Sequence, residues 1–331
     1  MRRAILAPLA ASLVIVTAAA AAPDLRPEAR VPAGPRTTIF YYPWYGTPDH
    51  DGEFVHWSQN GAAPPDAIAS AFYPARGLYS SRDARVLEAH MDDIRRSGVE
   101  QLATSWWGWG SLEDRHLPAI LAAARTAGLD VAVHIEPYGG RTPASVAADI
   151  VRLRELGVSD FYVYGPQAAP AEEWAAANAT VDPQARVFAQ TGLAGFAAAG
   201  GFDGLYTYDV LVFGAPRFAR LCEQARRKNL LCAPSVGPGY DAMRAIGDLR
   251  IKLRRAGRTY DAMWQAAIRA RADIVGVTSY NEWHEGTQIE PARARSGFVS
   301  YHGAWGLRGK AAEYAYVDRT AYWAGRFLRG R

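Results

Sequence analysis

The sequence predicts a single (β/α)8 barrel of the α/β class, with extended loops at the C-terminal ends of its strands. Eight short, β-rich apolar runs alternate with helical stretches along the chain. Parallel strands need such crossovers, and eight of them in a row close a ring. No Gly-rich dinucleotide turn follows the first run, where Tyr41-Tyr42-Pro43-Trp44-Tyr45-Gly46 stands instead, so an open doubly wound sheet loses its main support. The 331 residues, 49% hydrophobic and 21% charged, suffice for one barrel-sized core.

At the N-terminus, Arg2 and Arg3 precede an apolar stretch over 4–16 and an alanine run ending at Ala22. This is the pattern of a signal peptide over 1–22, and it predicts export, to the medium, the periplasm or the cell surface. The alternative is an uncleaved anchor, because 4–23 carries no charge and is long enough to span a bilayer; only that would give the protein a stable membrane partner. Residues 23–36, rich in Pro, Arg and Ala, read as a linker, and 37–331 as the folded domain.

Strands are expected at 38–42, 101–105, 130–135, 160–164, 186–190, 204–207, 230–235 and 274–279, each a run of mostly apolar residues bounded by turn formers. Helices are expected between them at 81–97, 113–127, 143–156, 171–177, 194–199, 216–228 and 259–270, with 316–328 closing the chain. Gly98, Gly128 and Gly157 stand where helix ends need a left-handed residue. Cys222 falls in a helix and Cys232 in the next strand, which leaves a bridge and two buried thiols equally open.

The formal net charge of +4 comes from arginines scattered over many helix faces. Without a concentrated basic patch, nucleic acid is not an expected partner. No His-Asp set has ligand spacing, and His284-Glu285 fails as a zincin motif because Gln288 stands where a second histidine must be. Neither a metal nor another cofactor is expected.

Barrel enzymes carry their chemistry at the C-terminal strand ends, and the residues there agree with one another. The first strand gives Tyr42, Trp44 and Tyr45, and the second Trp107 and Trp109; aromatic faces pack against the C–H faces of sugar rings. His134 and Glu136 share one face of the third strand. The sixth contributes Tyr206, Tyr208 and Asp209, and the seventh runs into Gly237, Gly239 and Tyr240, whose glycines would let backbone approach a ligand. After the eighth, Asn281-Glu282-Trp283-His284-Glu285 sets two carboxyls three residues apart. Neighbouring carboxyls in a dry cleft push their pKa values apart, so one can be an acid while the other is a base.

At these motifs the chain resembles glycoside hydrolase family 99, the endo-α-1,2-mannosidases and endomannanases. The resemblance runs through Tyr-Tyr-Pro-Trp-Tyr-Gly at 41, Asp-Gly-Glu-Phe-Val-His-Trp at 51, Ser-Trp-Trp-Gly at 105, His-Ile-Glu-Pro-Tyr-Gly-Gly-Arg at 134, Ser-Val-Gly-Pro-Gly-Tyr-Asp at 235 and Asn-Glu-Trp-His-Glu-Gly-Thr-Gln-Ile-Glu at 281. It implies a metal-independent barrel that cleaves inside α-mannoside chains with retention. It further implies that Glu282 deprotonates the substrate's 2-hydroxyl to form a 1,2-anhydro sugar, and that Glu285 protonates the leaving oxygen. Tyr42, His134, Glu136, Tyr206, Asn281 and Arg244 would line the subsites beside the cleaved bond, with Tyr240 and Trp283 near them and Trp107 or Trp109 distal. Ala245 stands where the family commonly has proline after its arginine. An α-mannan or a mannose-rich oligosaccharide is the expected substrate. Another α-linked polysaccharide, or glycan binding without catalysis, are the alternatives.

Overall fold

The computed structural model describes residues 34–330. The predicted signal peptide and the linker up to residue 33 lie outside the described residues. Among the described residues no helix is long and apolar enough to cross a membrane.

The strands are β1 (Arg36–Tyr41), β2 (Gln101–Trp106), β3 (Asp130–Ile135), β4 (Asp160–Val163), β5 (Arg186–Gln190), β6 (Gly204–Tyr206), β7 (Leu231–Ala233), β8 (Ser235–Val236), β9 (Tyr240–Asp241), β10 (Ile251–Lys252) and β11 (Ile274–Val277). One sheet runs β7-β6-β5-β4-β3-β2-β1-β11-β8, every pair parallel. β7 and β8 are two halves of the expected seventh strand, separated at Pro234, which has no N–H to give to a ladder. The first half bonds to β6 and the second to β11, and this closes the barrel. β9 and β10 form a separate antiparallel pair in the loop after the seventh strand.

The helices are α1 (Pro48–Asp51), α2 (Ala84–Arg96), α3 (Leu112–Ala127), α4 (Pro143–Glu155), α5 (Ala171–Asn178), α6 (Ala194–Ala199), α7 (Ala215–Arg226), α8 (Met243–Ile246), α9 (Arg258–Arg269), α10 (Lys310–Glu313) and α11 (Ala315–Arg329). Side chains fix several of their starts. Asp83 accepts from the Arg85 N–H at α2, Ser111 from Asp114 at α3, and Thr142 and Ser145 form a reciprocal capping box at α4. The four-residue α1, α8 and α10 lie in loops, too short to leave a periodic pattern.

Alternation along the strands separates two cores. Ile39 and Tyr41 of β1 join the layer between sheet and helices. Phe40 points inward and packs with Ala103, Ala132, Tyr162, Phe188 and Tyr206 in the barrel interior. The two glycines after the seventh strand do not await a ligand. A Cβ on Gly237 would lie 2.5 Å from Val210 Cγ1 and 2.8 Å from the Thr278 carbonyl, and one on Gly239 would lie 2.6 Å from the Lys252 carbonyl. Their bare backbone lets the seventh loop pack on the end of β11 and on β10, which corrects the expected role.

Of the two alternatives for the cysteines, the structure has the bridge: Cys222 of α7 and Cys232 of β7 are joined, with their Cα atoms 5.2 Å apart. The cross-link closes a short loop and restricts the unfolded chain, a gain of about 2–3 kcal/mol. The Cys222→Ser/Cys232→Ser protein is expected to melt roughly 5 °C lower. Its melting temperature should be insensitive to reductant, whereas that of the parent protein should fall on reduction.

Candidate active site

β11 ends at Val277 and the chain folds back on itself over 278–290. The Ser279 N–H donates to the Thr287 carbonyl at 3.0 Å and the Glu290 N–H to that of Tyr280 at 2.8 Å. Ser279 Oγ receives the Glu282 N–H at 2.8 Å. Residues 283–286 form a tight turn with Gly286 at φ 62°, a left-handed conformation that favours glycine. Glu282 and Glu285 therefore stand at the two ends of a turn, not on a helix.

Both carboxyls are driven towards the protonated form. Glu282 is raised well above the ordinary carboxylate range by burial first and by Glu285 next, while the N–H groups of His284, at 3.2 Å, and of Glu285 favour its charged form. His284 Nδ1 lies 3.7 Å from Glu282 Oε1, but burial lowers His284 to about 4, so it is neutral near pH 7. Burial pushes Glu285 up to about 8, with Asp209, Glu136 and Asp248 adding to it. The pair thus holds a proton at neutral pH. Glu136 acts on both; Glu282 alone has the backbone donors that favour an anion, whereas Asp209 and Asp248 act on Glu285.

The third strand supplies the opposing side. His134 and Glu136 share a face as expected, with Nδ1 3.0 Å from Oε1, and His134 Nε2 lies 2.8 Å from the Tyr206 hydroxyl. Glu136 Oε1 also accepts from Ser105 Oγ at 2.9 Å. Tyr42 is raised by burial and then by the charges of Glu136, Glu282 and Glu285. Tyr240 feels Glu285 and donates to Asp248 at 3.0 Å. Tyr42, His134, Glu136, Tyr206, Tyr240, Glu282 and Glu285 form one cluster.

Four residues expected to touch substrate have side-chain partners within the protein. Asn281 is fully buried; its Oδ1 accepts the Tyr42 N–H at 2.7 Å and its Nδ2 donates to the Tyr42 carbonyl at 2.9 Å, lacing this loop to the end of β1. Trp283 is also fully buried, its Nε1 donating to Glu290 at 2.8 Å beneath the turn. Trp109 donates to Asp149 at 2.7 Å, and the Arg152 guanidinium covers its ring at 3.7 Å. Arg244 donates to the carbonyls of Ser70 and Gly297 and lies over Phe298. Trp107 and Trp109 are each 37% exposed, and Trp107 carries no such cover among the described residues.

Further strand-end residues read from the sequence join the cluster, together with one that was not. Trp44 lies 4.6 Å from Tyr42 and stacks on His56 at 4.7 Å. Tyr208 receives the Tyr42 hydroxyl hydrogen bond at 2.5 Å, and its neighbour Asp209 acts on Glu285; both stand at the end of the sixth strand, as the sequence predicts. Asp248 left no signal, because only the β9–β10 pairing brings it near Glu285.

Comparison with known proteins agrees with this geometry. A model described as glycosyl hydrolase family 99 matches residues 34–329. A glycoprotein endo-alpha-1,2-mannosidase-like protein of Danio rerio is 34% identical over 77% of this chain and 70% of its own length. A glycoprotein endo-alpha-1,2-mannosidase of Xenopus laevis is 33% identical over 77% and 69%. Among solved structures, the GH99 endo-alpha-mannosidase from Bacteroides thetaiotaomicron superimposes with a TM-score of 0.79 at 31% identity, covering 89% of this chain and 98% of that one.

Proposed function

The chain belongs to glycosyl hydrolase family 99, and from that premise we propose a secreted, retaining, endo-acting α-mannoside hydrolase that cleaves α-mannan or a mannose-rich oligosaccharide. The observation that carries the reading is the unequal pair on one turn, Glu282 with backbone donors and Glu285 acted on by Asp209 and Asp248. In this reaction Glu282 takes the proton of the substrate's 2-hydroxyl. That oxygen attacks C1 as the glycosidic bond breaks, and Glu285 gives its proton to the leaving oxygen. A 1,2-anhydro sugar results. Glu285, now a carboxylate, takes a proton from the water that attacks C1, and Glu282 returns its proton to O2. Two inversions at C1 give net retention.

The α-manno configuration suits this route, since its axial 2-hydroxyl is trans to the leaving group. Tyr42, the His134–Glu136 pair and Tyr206 hold the reacting sugar, and Trp107 stacks on a distal one. The relatives named for endo-mannosidase activity and the uncovered Trp107 support a mannose chain as substrate. The Cys222–Cys232 bridge supports an oxidising compartment, and hence export. Incubating the protein without residues 1–22 with an α-1,6-linked, α-1,2/1,3-branched mannan tests the reading. Release of mannosyl-α-1,3-mannose, with the α-anomer seen first by NMR, is the expected result. Binding without release points instead to a glycan-binding protein, and release of the β-anomer first excludes participation by the 2-hydroxyl.

A further inference from the structure

Beneath the catalytic turn, on the side that Trp283 faces, lies a buried polar cluster that the chemistry above does not use. Glu290 is fully buried, and its Oε2 accepts from Trp283 Nε1 and from the Tyr79 hydroxyl, each at 2.8 Å. Its Oε1 lies 3.2 Å from Nε2 of His90, a fully buried residue of α2, and His90 Nδ1 lies 3.1 Å from the Tyr41 hydroxyl. Tyr79 also takes a 3.4 Å contact from Asn281 Nδ2. The Tyr45 hydroxyl donates to the Asn281 carbonyl and accepts the Trp283 N–H, both at 3.1 Å.

A fold that needed only to satisfy one indole N–H could do so with a carbonyl oxygen. Burying a carboxyl for the purpose is costly. We propose that Glu290 is a positioning residue for the proposed hydrolysis, holding Trp283 as the rigid peg between Glu282 and Glu285 and so fixing the spacing of the two carboxyls. One Glu290 oxygen is a single hydrogen bond from the ring whose backbone separates them, and, through Tyr79, two contacts from Asn281, which ties the turn to Tyr42. The other oxygen faces His90 of α2 at 3.2 Å without hydrogen-bond geometry. The inference rests on the hydrolase reading for its catalytic half, and on packing alone for its structural half.

Glu290→Gln keeps the volume and an acceptor for Trp283, but sets an amide against His90 or against the indole. A displacement of about 1 Å at a catalytic group costs on the order of 100-fold. The variant is therefore expected to lose roughly 10- to 100-fold in kcat on mannan with KM within about twofold. Amides of 283–290 should exchange faster by mass spectrometry, with those of β2 and β3 unchanged. Tyr79→Phe, which removes one hydroxyl and no charge, should shift kcat and exchange in the same direction by less, and it decides the matter if Glu290→Gln does not fold. A variant that melts lower yet keeps wild-type kcat and wild-type exchange over 283–290 makes Glu290 a core group only and overturns the proposal. A wild-type protein inert on mannan defeats the hydrolase reading instead, and the exchange rates then still decide whether Glu290 holds the turn.

Discussion

Glu282→Gln is expected to lose about 10³- to 10⁴-fold in kcat/KM on every α-mannoside, whereas Glu285→Gln should lose as much on mannan but far less on a substrate with an acidic leaving group. The asymmetry follows from what each carboxyl does. A good leaving group departs without a proton, so it bypasses Glu285, but no leaving group relieves the need to deprotonate the 2-hydroxyl. Comparing kcat/KM of the three proteins on mannan and on an activated aryl glycoside of the same disaccharide checks this. Equal losses on both substrates in both variants would sink the division of labour. The parent protein should also lose activity as pH rises through about 8, where Glu285 gives up its proton. On the activated substrate, which does not need that proton, the basic limb should be weak in the parent and in Glu285→Gln alike.

The sequence is most informative where periodicity and chemistry coincide. All eight barrel strands stand where their apolar runs place them, since burial on both faces leaves a continuous signal that loops do not disturb. The seventh is the exception in form: Pro234 divides it, and which half bonds to which neighbour is a fact of ring closure that no local pattern carries. In the site, Glu282, Glu285, His134 and Glu136 were legible because charged residues at the ends of buried strands have few structural uses. Trp283, Asn281 and Trp109 have partners within the protein that the sequence does not show, for a single reason. Residue type shows that an aromatic ring or an amide belongs at a strand end, but not which way it faces, and Glu290, Tyr42 and Arg152 settle that in three dimensions. Asp248 was invisible because the β9–β10 hairpin that brings it to Glu285 is two residues long on each side.

Removing the acid should also make the protein more stable. In the unfolded chain Glu285 titrates near the usual glutamate value of about 4.3; in the folded one burial and then the charges of Asp209, Glu136 and Asp248 push it up to about 8. The folded state therefore binds more protons than the unfolded state between those values. Stability falls as pH rises through that window, because ν for the unfolded state is the smaller. Below the unfolded value the contribution is fully present; above about 8 it is gone. Glu285→Gln has no proton to lose. Allowing for the partial exposure of this side chain and its coupling to Glu282, it is expected to exceed the parent by on the order of 2 kcal/mol at pH 8. The gap should shrink as pH falls and vanish near pH 4. Denaturant melts of both proteins across that range measure it directly. A constant difference at every pH would mean that Gln gains from packing, and that the folded site does not hold Glu285 against ionisation. A difference that closes on acidification would make the strain of an acid kept protonated near neutrality a property of the site, held by the same burial and acidic neighbours that fit Glu285 to donate its proton.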